Sequence, residues 1–132
     1  MTAVFLPVAV CLFGGIGASC RYLLDVTIKT YWKHAFPLST FTINVFAGLC
    51  AGIVAAFAMS VPDSANTVPV LSESWRLFLA TGFLGGFSTF STAINEMVTL
   101  ARAQHRLLAA TYVLASMVTP VAAVAVGFFI VA

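Results

Sequence analysis

Charged side chains are scarce in this sequence: Lys and Arg number six and Asp and Glu four, together 8% of the 132 residues. A soluble domain is typically about 25% charged, so this chain has too few polar groups to cover a surface exposed to water. Hydrophobic residues make up 61% of the chain, which excludes a soluble enzyme, a disordered tail and a nucleic-acid-binding protein. The composition therefore predicts an integral membrane protein.

The sequence has few cysteines, and it lacks the motifs of metal centres and of catalytic sites. Cys11, Cys20 and Cys50 are odd in number and lie in apolar stretches, so neither a disulfide framework nor a metal site is indicated. The sequence contains no His and Cys spacing typical of a metal centre, no acid–histidine–serine arrangement and no nucleotide-binding glycine loop. We therefore expect that the protein is not an enzyme.

The few charged residues divide the chain into long uncharged stretches. Four stretches contain no Asp, Glu, Lys or Arg, namely residues 1–20, 34–62, 77–95 and 107–132. A helix needs roughly 20 apolar residues to cross a bilayer, and nothing here alternates as a barrel strand would. We predict an all-α membrane protein, one integral domain over residues 1–132, with four transmembrane helices near 4–24, 38–60, 76–99 and 107–130.

The predicted loops differ in charge. A polar loop at 61–73 shares one side with the termini, whereas the 25–36 and 101–106 loops share the other. The second side carries four basic residues, Lys29, Lys33, Arg102 and Arg106. By the positive-inside rule these short loops face the cytoplasm and both termini face out. We expect a multi-pass protein of the cell membrane, surrounded by the lipid bilayer.

Residues 81–92 (TGFLGGFSTFST) form the most informative segment. Three glycines, which weaken a helix, precede four hydroxyl residues, which offer other partners to freed backbone groups. We predict that helix three is broken mid-membrane, with carbonyls able to hold a cation and hydroxyls, including that of Thr92, facing a permeating solute. Close helix packing through Gly82 and Gly86 is the alternative, but it leaves the hydroxyls unexplained.

The second and fourth spans also carry polar residues. Asn44 lies deep in helix two with Thr40 one turn earlier, and an amide in hydrocarbon needs a partner on another helix or an ion with its water. Both interpretations stay open. On helix four, Tyr112, Ser116 and Thr119 are spaced to share one helical stripe, as a ladder of hydroxyls along a narrow path would require.

Several residues near the helix ends have simpler interpretations. Arg21 is either an anchor whose guanidinium reaches the interface or a fixed positive charge in a vestibule. Glu96 lies close to the interface and could pair with a cation, while Lys29 belongs to a solvated rim. Gly48 and Gly52 form a small-residue pair that could let another helix approach closely, and small-residue faces of this kind could also receive a second subunit. Hydroxyls, an amide and an arginine together favour a pathway that donates hydrogen bonds to an anion.

Three blocks of the sequence resemble the motifs of the Fluc/CrcB fluoride channel family. They are GGIGASCRY at 14–22, STFTINVFAG at 39–48 and GFLGGFSTFSTAINE at 82–96. The resemblance implies a passive fluoride-selective channel that exports cytoplasmic fluoride and protects against its toxicity. It further implies an antiparallel dimer with two narrow pores and a structural sodium ion at its centre.

The resemblance also implies roles for individual residues. The backbone carbonyls of Gly85 and Ser88 would hold the sodium ion. Phe90 would present the electropositive edge of its ring to the anion. Together with the hydroxyl residues already described, the predicted fluoride pore residues are Phe90, Asn44, Thr40, Thr92, Tyr112, Ser116, Thr119 and Arg21.

Two further hypotheses remain. Ala93 stands where the family usually has a second phenylalanine and Pro120 where it commonly has a hydroxyl residue. The uneven distribution of Lys and Arg adds to this, because a chain that inserts both ways should show almost no bias. These features suggest a non-conducting subunit that pairs with an inverted, related chain in a heterodimeric channel. A small proton-coupled multidrug or cation exporter is the third hypothesis, but spans one and two lack the membrane-embedded carboxylate it needs.

Overall fold

The computed structural model describes residues 2–59 and 73–131, and the predicted loop at 61–73 lies outside them except for Glu73. Four helical stretches are long and apolar enough to cross a membrane, namely Val4–Tyr31, Leu38–Met59, Glu73–Arg102 and Arg106–Val131. The prediction of an all-α architecture with four apolar spans is confirmed for the described residues.

The first helix is longer than predicted. Helix α1 (Thr2–Tyr31) continues beyond residue 24, because the charges that follow stabilise it. Lys29 Nζ lies 2.9 Å from Asp25 Oδ2, and opposite charges four residues apart support a helix. Helix α2 (Leu38–Met59) begins at the predicted residue, directly after a proline that has no N–H group to leave unsatisfied.

The third span, Glu73–Arg102, is assembled from several pieces. It begins with α3 (Glu73–Arg76), continues through a π-helical segment (Leu77–Leu84) and α4 (Gly85–Phe87), and resumes as α5 (Ser91–Arg102). Residues 88–90, called the break below, are not helical, and Ser88 is extended with ψ 158°. The predicted interruption of helix three is thus confirmed as a bend over three residues at the middle of the span. Sequence reasoning missed the π-helical segment.

Helix α6 (Arg106–Val131) follows α5 through a tight corner. Gln104 adopts a left-handed conformation there, with φ 64°, and the N–H of His105 donates to the carbonyl of Leu100 at 3.0 Å. This is the helix C-terminal cap in which glycine is usual. The short corner makes α5 and α6 antiparallel neighbours.

Glycine lets α2 and α6 touch backbone to backbone. A methyl group at Gly48 would collide with the carbonyl of Pro120, and one at Gly52 with the carbonyl of Val124. Such close approach is the usual role of paired small residues between membrane helices. The close approach of another helix predicted at Gly48 and Gly52 is thus confirmed, and because α6 covers this face within the protomer, it is not free to receive a second subunit.

Helix α1 packs against the first half of the third span in a similar way. A methyl group at Gly17 would collide with the carbonyl of Phe83, and one at Gly86 with the carbonyl of Gly14. Gly86 therefore serves close packing, as the alternative interpretation proposed, although the break is present as well. The protein thus consists of two tightly joined helix pairs, with the break between them.

Candidate functional site

The side-chain amide of Asn44 bridges α2 to the break. Its Nδ2 donates to the carbonyl of Thr89 at 2.7 Å, and its Oδ1 accepts the N–H of Thr89 at 2.8 Å. The backbone groups of residue 89, which have left the helical ladder, are satisfied in this way. The inter-helix hydrogen bond considered for Asn44 is therefore present, while its role in a pore stays a prediction.

These bonds release two backbone carbonyls. In a continuous helix the N–H of Thr89 would bond to the carbonyl of Gly85, and the N–H of Thr92 to that of Ser88. Instead Thr89 donates to Asn44, and Thr92 donates to the hydroxyl of Thr89 at 3.3 Å. Gly85 and Ser88, the residues predicted to hold sodium, are thus among those whose carbonyls lose a helical donor at the break, and their role in binding sodium stays a prediction. Carbonyl oxygens are ligands that hard cations prefer, so the donor set fits such an ion.

Hydroxyl groups gather at the start of α5. Thr89 Oγ1 lies 2.9 Å from Thr92 Oγ1 and 3.4 Å from Ser91 Oγ. By accepting the N–H of Thr92, the Thr89 hydroxyl also satisfies one of the free donors at the start of this helix. The structure therefore gives these hydroxyls a local role, and the predicted contact between Thr92 and a solute stays a prediction.

The break opens on a groove between α2, the third span and α6. The groove has a volume of about 530 Å³, and its lining includes Asn44, Gly85, Ser88, Phe90 and Ser116. Phe90 is 69% exposed. The Ser116 Oγ is buried and has no hydrogen-bond partner among the residues that the structure describes. Five predicted site residues thus border one space, and one of them, Ser116, keeps its hydroxyl buried beside the groove.

Other predicted pore residues lie away from the groove. Tyr112 and Thr40 are 0% and 1% exposed, and the Tyr112 hydroxyl donates to Glu96 Oε2 at 2.9 Å. Thr119 is half-buried and does not line the groove. Of the three residues on the predicted stripe of helix four, the structure brings Ser116 to the break.

Arg21 reaches the break from α1. Its Nε donates to the carbonyl of Gly86 at 3.4 Å, close to the point where the helical conformation ends. A positive charge is favourable beside the unsatisfied carbonyls at a helix end. Sequence reasoning could not predict this contact, because it joins two residues that are 65 positions apart.

A second polar cluster joins α1, α5 and α6. Glu96 Oε1 lies 3.5 Å from Lys29 Nζ, and Lys29 also pairs with Asp25. The prediction that Glu96 pairs with a cation is confirmed, and the assignment of Lys29 to a solvated rim alone is wrong. Among residues 2–59 and 73–131, no three His, Cys, Asp or Glu side chains are grouped so that they could hold a metal ion.

The cluster borders a second cavity, called the end cavity below, of about 220 Å³. It lies where the end of α1, the start of α2 and the middle of α5 meet. Its polar lining residues include Lys29, Trp32, His34, Ser39, Glu96 and Thr99. Sequence reasoning missed this cavity, because its residues come from three separate segments.

A sequence profile of CrcB-like proteins, described as Camphor Resistance (CrcB), matches residues 8–128 of the chain. The chain belongs to the CrcB family. It is 64% identical over 127 residues to fluoride-specific ion channel FluC 3 of Bifidobacterium longum (strain NCC 2705), covering 96% of this chain and 98% of the relative. Fluoride-specific ion channel FluC 1 of the same strain is 44% identical over 123 residues, with 88% of each chain covered.

A more distant CrcB relative extends the comparison. Fluoride-specific ion channel FluC of Escherichia coli O1:K1 / APEC is 32% identical over 123 residues, covering 93% of this chain and 91% of the relative. The family is one of ion channels and not of enzymes, which confirms both the resemblance and the expectation that the protein is not an enzyme. With four apolar helices, the chain is a multi-pass membrane protein.

Proposed function

We propose that this chain is a passive fluoride channel subunit, through which cytoplasmic fluoride leaves down its electrochemical gradient. The observation that carries the proposal is the break. Non-helical backbone within an apolar span persists only where it lines a wet cavity or is covered by protein. The names of the relatives indicate the solute. Hydrogen fluoride enters cells as a neutral weak acid and ionises there, so a pore with no ATP or cofactor suffices to remove the trapped anion.

Three side chains at the groove are suited to a small anion. The Asn44 amide has two N–H donors, one of which bonds to Thr89, so the other is available. The Ser116 hydroxyl can donate as well, and Phe90 can present the positive edge of its ring. These groups would replace part of the water that fluoride loses on entering the membrane.

The surface around the break supports a dimer. Gly85, Ser88 and Phe90 are exposed on the protomer, although they lie in an apolar span. Exposed backbone of this kind is not tolerated against lipid, so a second subunit would cover it. The antiparallel dimer that the resemblance implies would bring two breaks together and give two pores.

A structural sodium ion between the two breaks is part of the proposal. Its support is the release of the Gly85 and Ser88 carbonyls by the hydrogen bonds of Thr89 and Thr92. A cation there would offset the negative ends of the freed carbonyl dipoles. The residues of this chain would provide backbone oxygens only.

Fluoride efflux from liposomes tests the proposed function. Purified protein in fluoride-loaded vesicles should release fluoride, measured with a fluoride electrode, without ATP or a proton gradient. Replacing sodium by N-methylglucamine during purification should reduce the efflux. Proton-coupled efflux of an organic cation with no fluoride efflux would support the exporter instead, although the family assignment favours the channel.

A second candidate function is a subunit that conducts only beside an inverted relative. Ala93, where the family usually has phenylalanine, is buried in a cluster with Leu100, Ala109 and Tyr112, so this chain presents no second pore ring at that position. The bias of Lys and Arg to one side also favours a single orientation. Two of the relatives occur in one Bifidobacterium strain. Efflux only after reconstitution with such a relative would support this candidate, and full efflux from this chain alone would exclude it.

A further inference from the structure

The end cavity carries features of an anion-binding site. The Ser39 side chain is 2% exposed, and its Oγ has no hydrogen-bond partner within the described part of the chain. Leu38 and Ser39 bring the first turn of α2 to the cavity wall, and a helix start carries a partial positive charge. The Lys29 ammonium group adds a positive charge, which it shares with the carboxylates of Asp25 and Glu96. Three kinds of hydrogen-bond donor thus meet in one space.

One group in the cavity opposes an anion. The Glu96 side chain is only 16% exposed, and its negative charge would repel fluoride at short range. Lys29 Nζ lies 3.5 Å from Glu96 Oε1, so its charge offsets that of the carboxylate. Asp25, one turn earlier on α1, fixes the ammonium group at 2.9 Å. The order Asp25, Lys29, Glu96 places the positive charge between the two negative ones.

The cavity also lies on a line of polar side chains that leads to the groove. Glu96 is bonded to the buried Tyr112. One helical turn beyond Tyr112 on α6 comes Ser116, which lines the groove, while Thr40 follows Ser39 on α2. Polar side chains of α2, α5 and α6 therefore lie between the end cavity and the break.

We infer that the end cavity is the entry site for a hydrated small anion, and that Lys29, held by Asp25, is the counter-charge that lets this anion pass Glu96. The inference rests on the proposed fluoride channel function and extends it to a named entrance. Lys29 is a positioning residue: it sets the potential at the entrance and does not bind the anion at the break.

Charge substitutions in reconstituted full-length protein test the inference. Lys29→Gln should lower the initial rate of fluoride efflux by about tenfold or more, since it leaves the carboxylate uncompensated. Lys29→Arg, which keeps the charge, should stay within about threefold of the unsubstituted protein. The double variant Lys29→Gln/Glu96→Gln, in which both charges are removed, should recover most of the lost rate. Its recovery is the decisive result, because a purely structural loss at Lys29 would not be repaired by a second substitution.

Arg76→Gln is the matched control. It breaks the ion pair between Arg76 and Glu73, whose nitrogen and oxygen atoms are 3.1 Å apart. This pair lies at the start of the third span and does not line the end cavity, so the substitution should leave efflux unchanged. All variants are compared by elution volume in detergent, so that a misfolded protein is recognised before its rate is interpreted.

The outcomes separate the two proposals. If the unsubstituted chain carries no fluoride, alone or with an inverted relative, the proposed function fails and the entrance with it. If it carries fluoride and Lys29→Gln is within about twofold of it, or the double variant is no faster than Lys29→Gln, the entrance alone is refuted. A variant that elutes as aggregate is replaced by Lys29→Met/Glu96→Gln, whose rate is judged by the same thresholds.

Discussion

The contact between α2 and α6 and the contact between α2 and the break differ in what they leave unsatisfied. Between α2 and α6, Gly48 and Gly52 bring two regular backbones together, and the surface is complete within one protomer. At the break, Asn44 satisfies the backbone of Thr89, but the carbonyls of Gly85 and Ser88 lose their helical donors, and both residues line a groove. Both regions share α2, and they lie within a few turns of each other.

This difference indicates that the contact between α2 and α6 mainly stabilises the protomer, whereas the break is the region suited to transport. Helix packing in a membrane depends on close van der Waals contact and hydrogen bonds, because lipid is as apolar as the side chains. The glycine contact therefore holds the protomer together and needs no solute. At the break, the carbonyls of Gly85 and Ser88 have lost their helical hydrogen bonds. This region is therefore suited to binding ions and a second subunit. Three substitutions test this division and a fourth tests the corner between α5 and α6, in order of decreasing effect.

Asn44→Leu should have the largest effect. It leaves the N–H and carbonyl of Thr89 without their partners, each at a cost of about 1–3 kcal/mol, and should abolish fluoride efflux as well as lower the thermal stability in detergent. Asn95→Leu, which removes an exposed amide on α5, is the control. An Asn44→Leu protein with normal stability would show that the bridge does not hold the break.

Gly52→Ala should destabilise the protein by about 1–3 kcal/mol, because the added methyl group meets the carbonyl of Val124 and the helices must separate. The measurement is the melting temperature of the purified protein. Gly15→Ala is the control, since a methyl group there meets nothing within 4 Å. Equal melting temperatures for the two variants would contradict the direct backbone contact.

Phe90→Ile should affect transport and not stability, the reverse of the effect expected for Gly52→Ala. The ring is exposed on the protomer, so the folding of the protomer, as distinct from its assembly with a second subunit, should change by less than about 0.5 kcal/mol. The loss of the ring edge should slow fluoride efflux by about tenfold, or 1.4 kcal/mol. Phe129→Ile, at an equally exposed position on α6, should leave the rate unchanged. If the two variants conduct equally well, Phe90 is not a pore residue.

Gln104→Gly should have the smallest effect and the opposite sign. Residue 104 has φ 64°, a conformation that disfavours side chains with a Cβ, so glycine should stabilise the corner by up to about 1 kcal/mol. Gln104→Val should destabilise it, because a branched side chain tolerates this backbone even less. Both are measured as shifts in melting temperature, and a fall with glycine would contradict the cap.

Much of the fold could be predicted because composition and length decide it. The start of α2 at residue 38 follows from the proline before it, and the bounds of α6 lie within one residue of those predicted from an uncharged run. The glycines and hydroxyls of residues 81–92 located the break, since they weaken a helix locally. The end of α1 could not be placed this way, because the Asp25–Lys29 pair extends the helix past its apolar part.

The site was predicted less completely than the fold. Residue type identified Asn44 and Ser116 as costly in hydrocarbon and therefore in need of partners. It could not reveal that Asn44 bonds to Thr89, or that Tyr112 bonds to Glu96, because those partners lie on other helices. For the same reason the sequence predicted that Gly48 and Gly52 receive another helix but did not identify that helix as α6.

The sequence by itself determined that this chain crosses a membrane with four helices, and that the third departs from helical conformation at its middle, because hydrophobicity and backbone preference are local properties. Only the tertiary structure decided which carbonyls are released, which glycines are covered, and that Lys29 lies between Asp25 and Glu96. Those outcomes depend on contacts between residues of different helices, and such contacts exist only once all the helices have packed together.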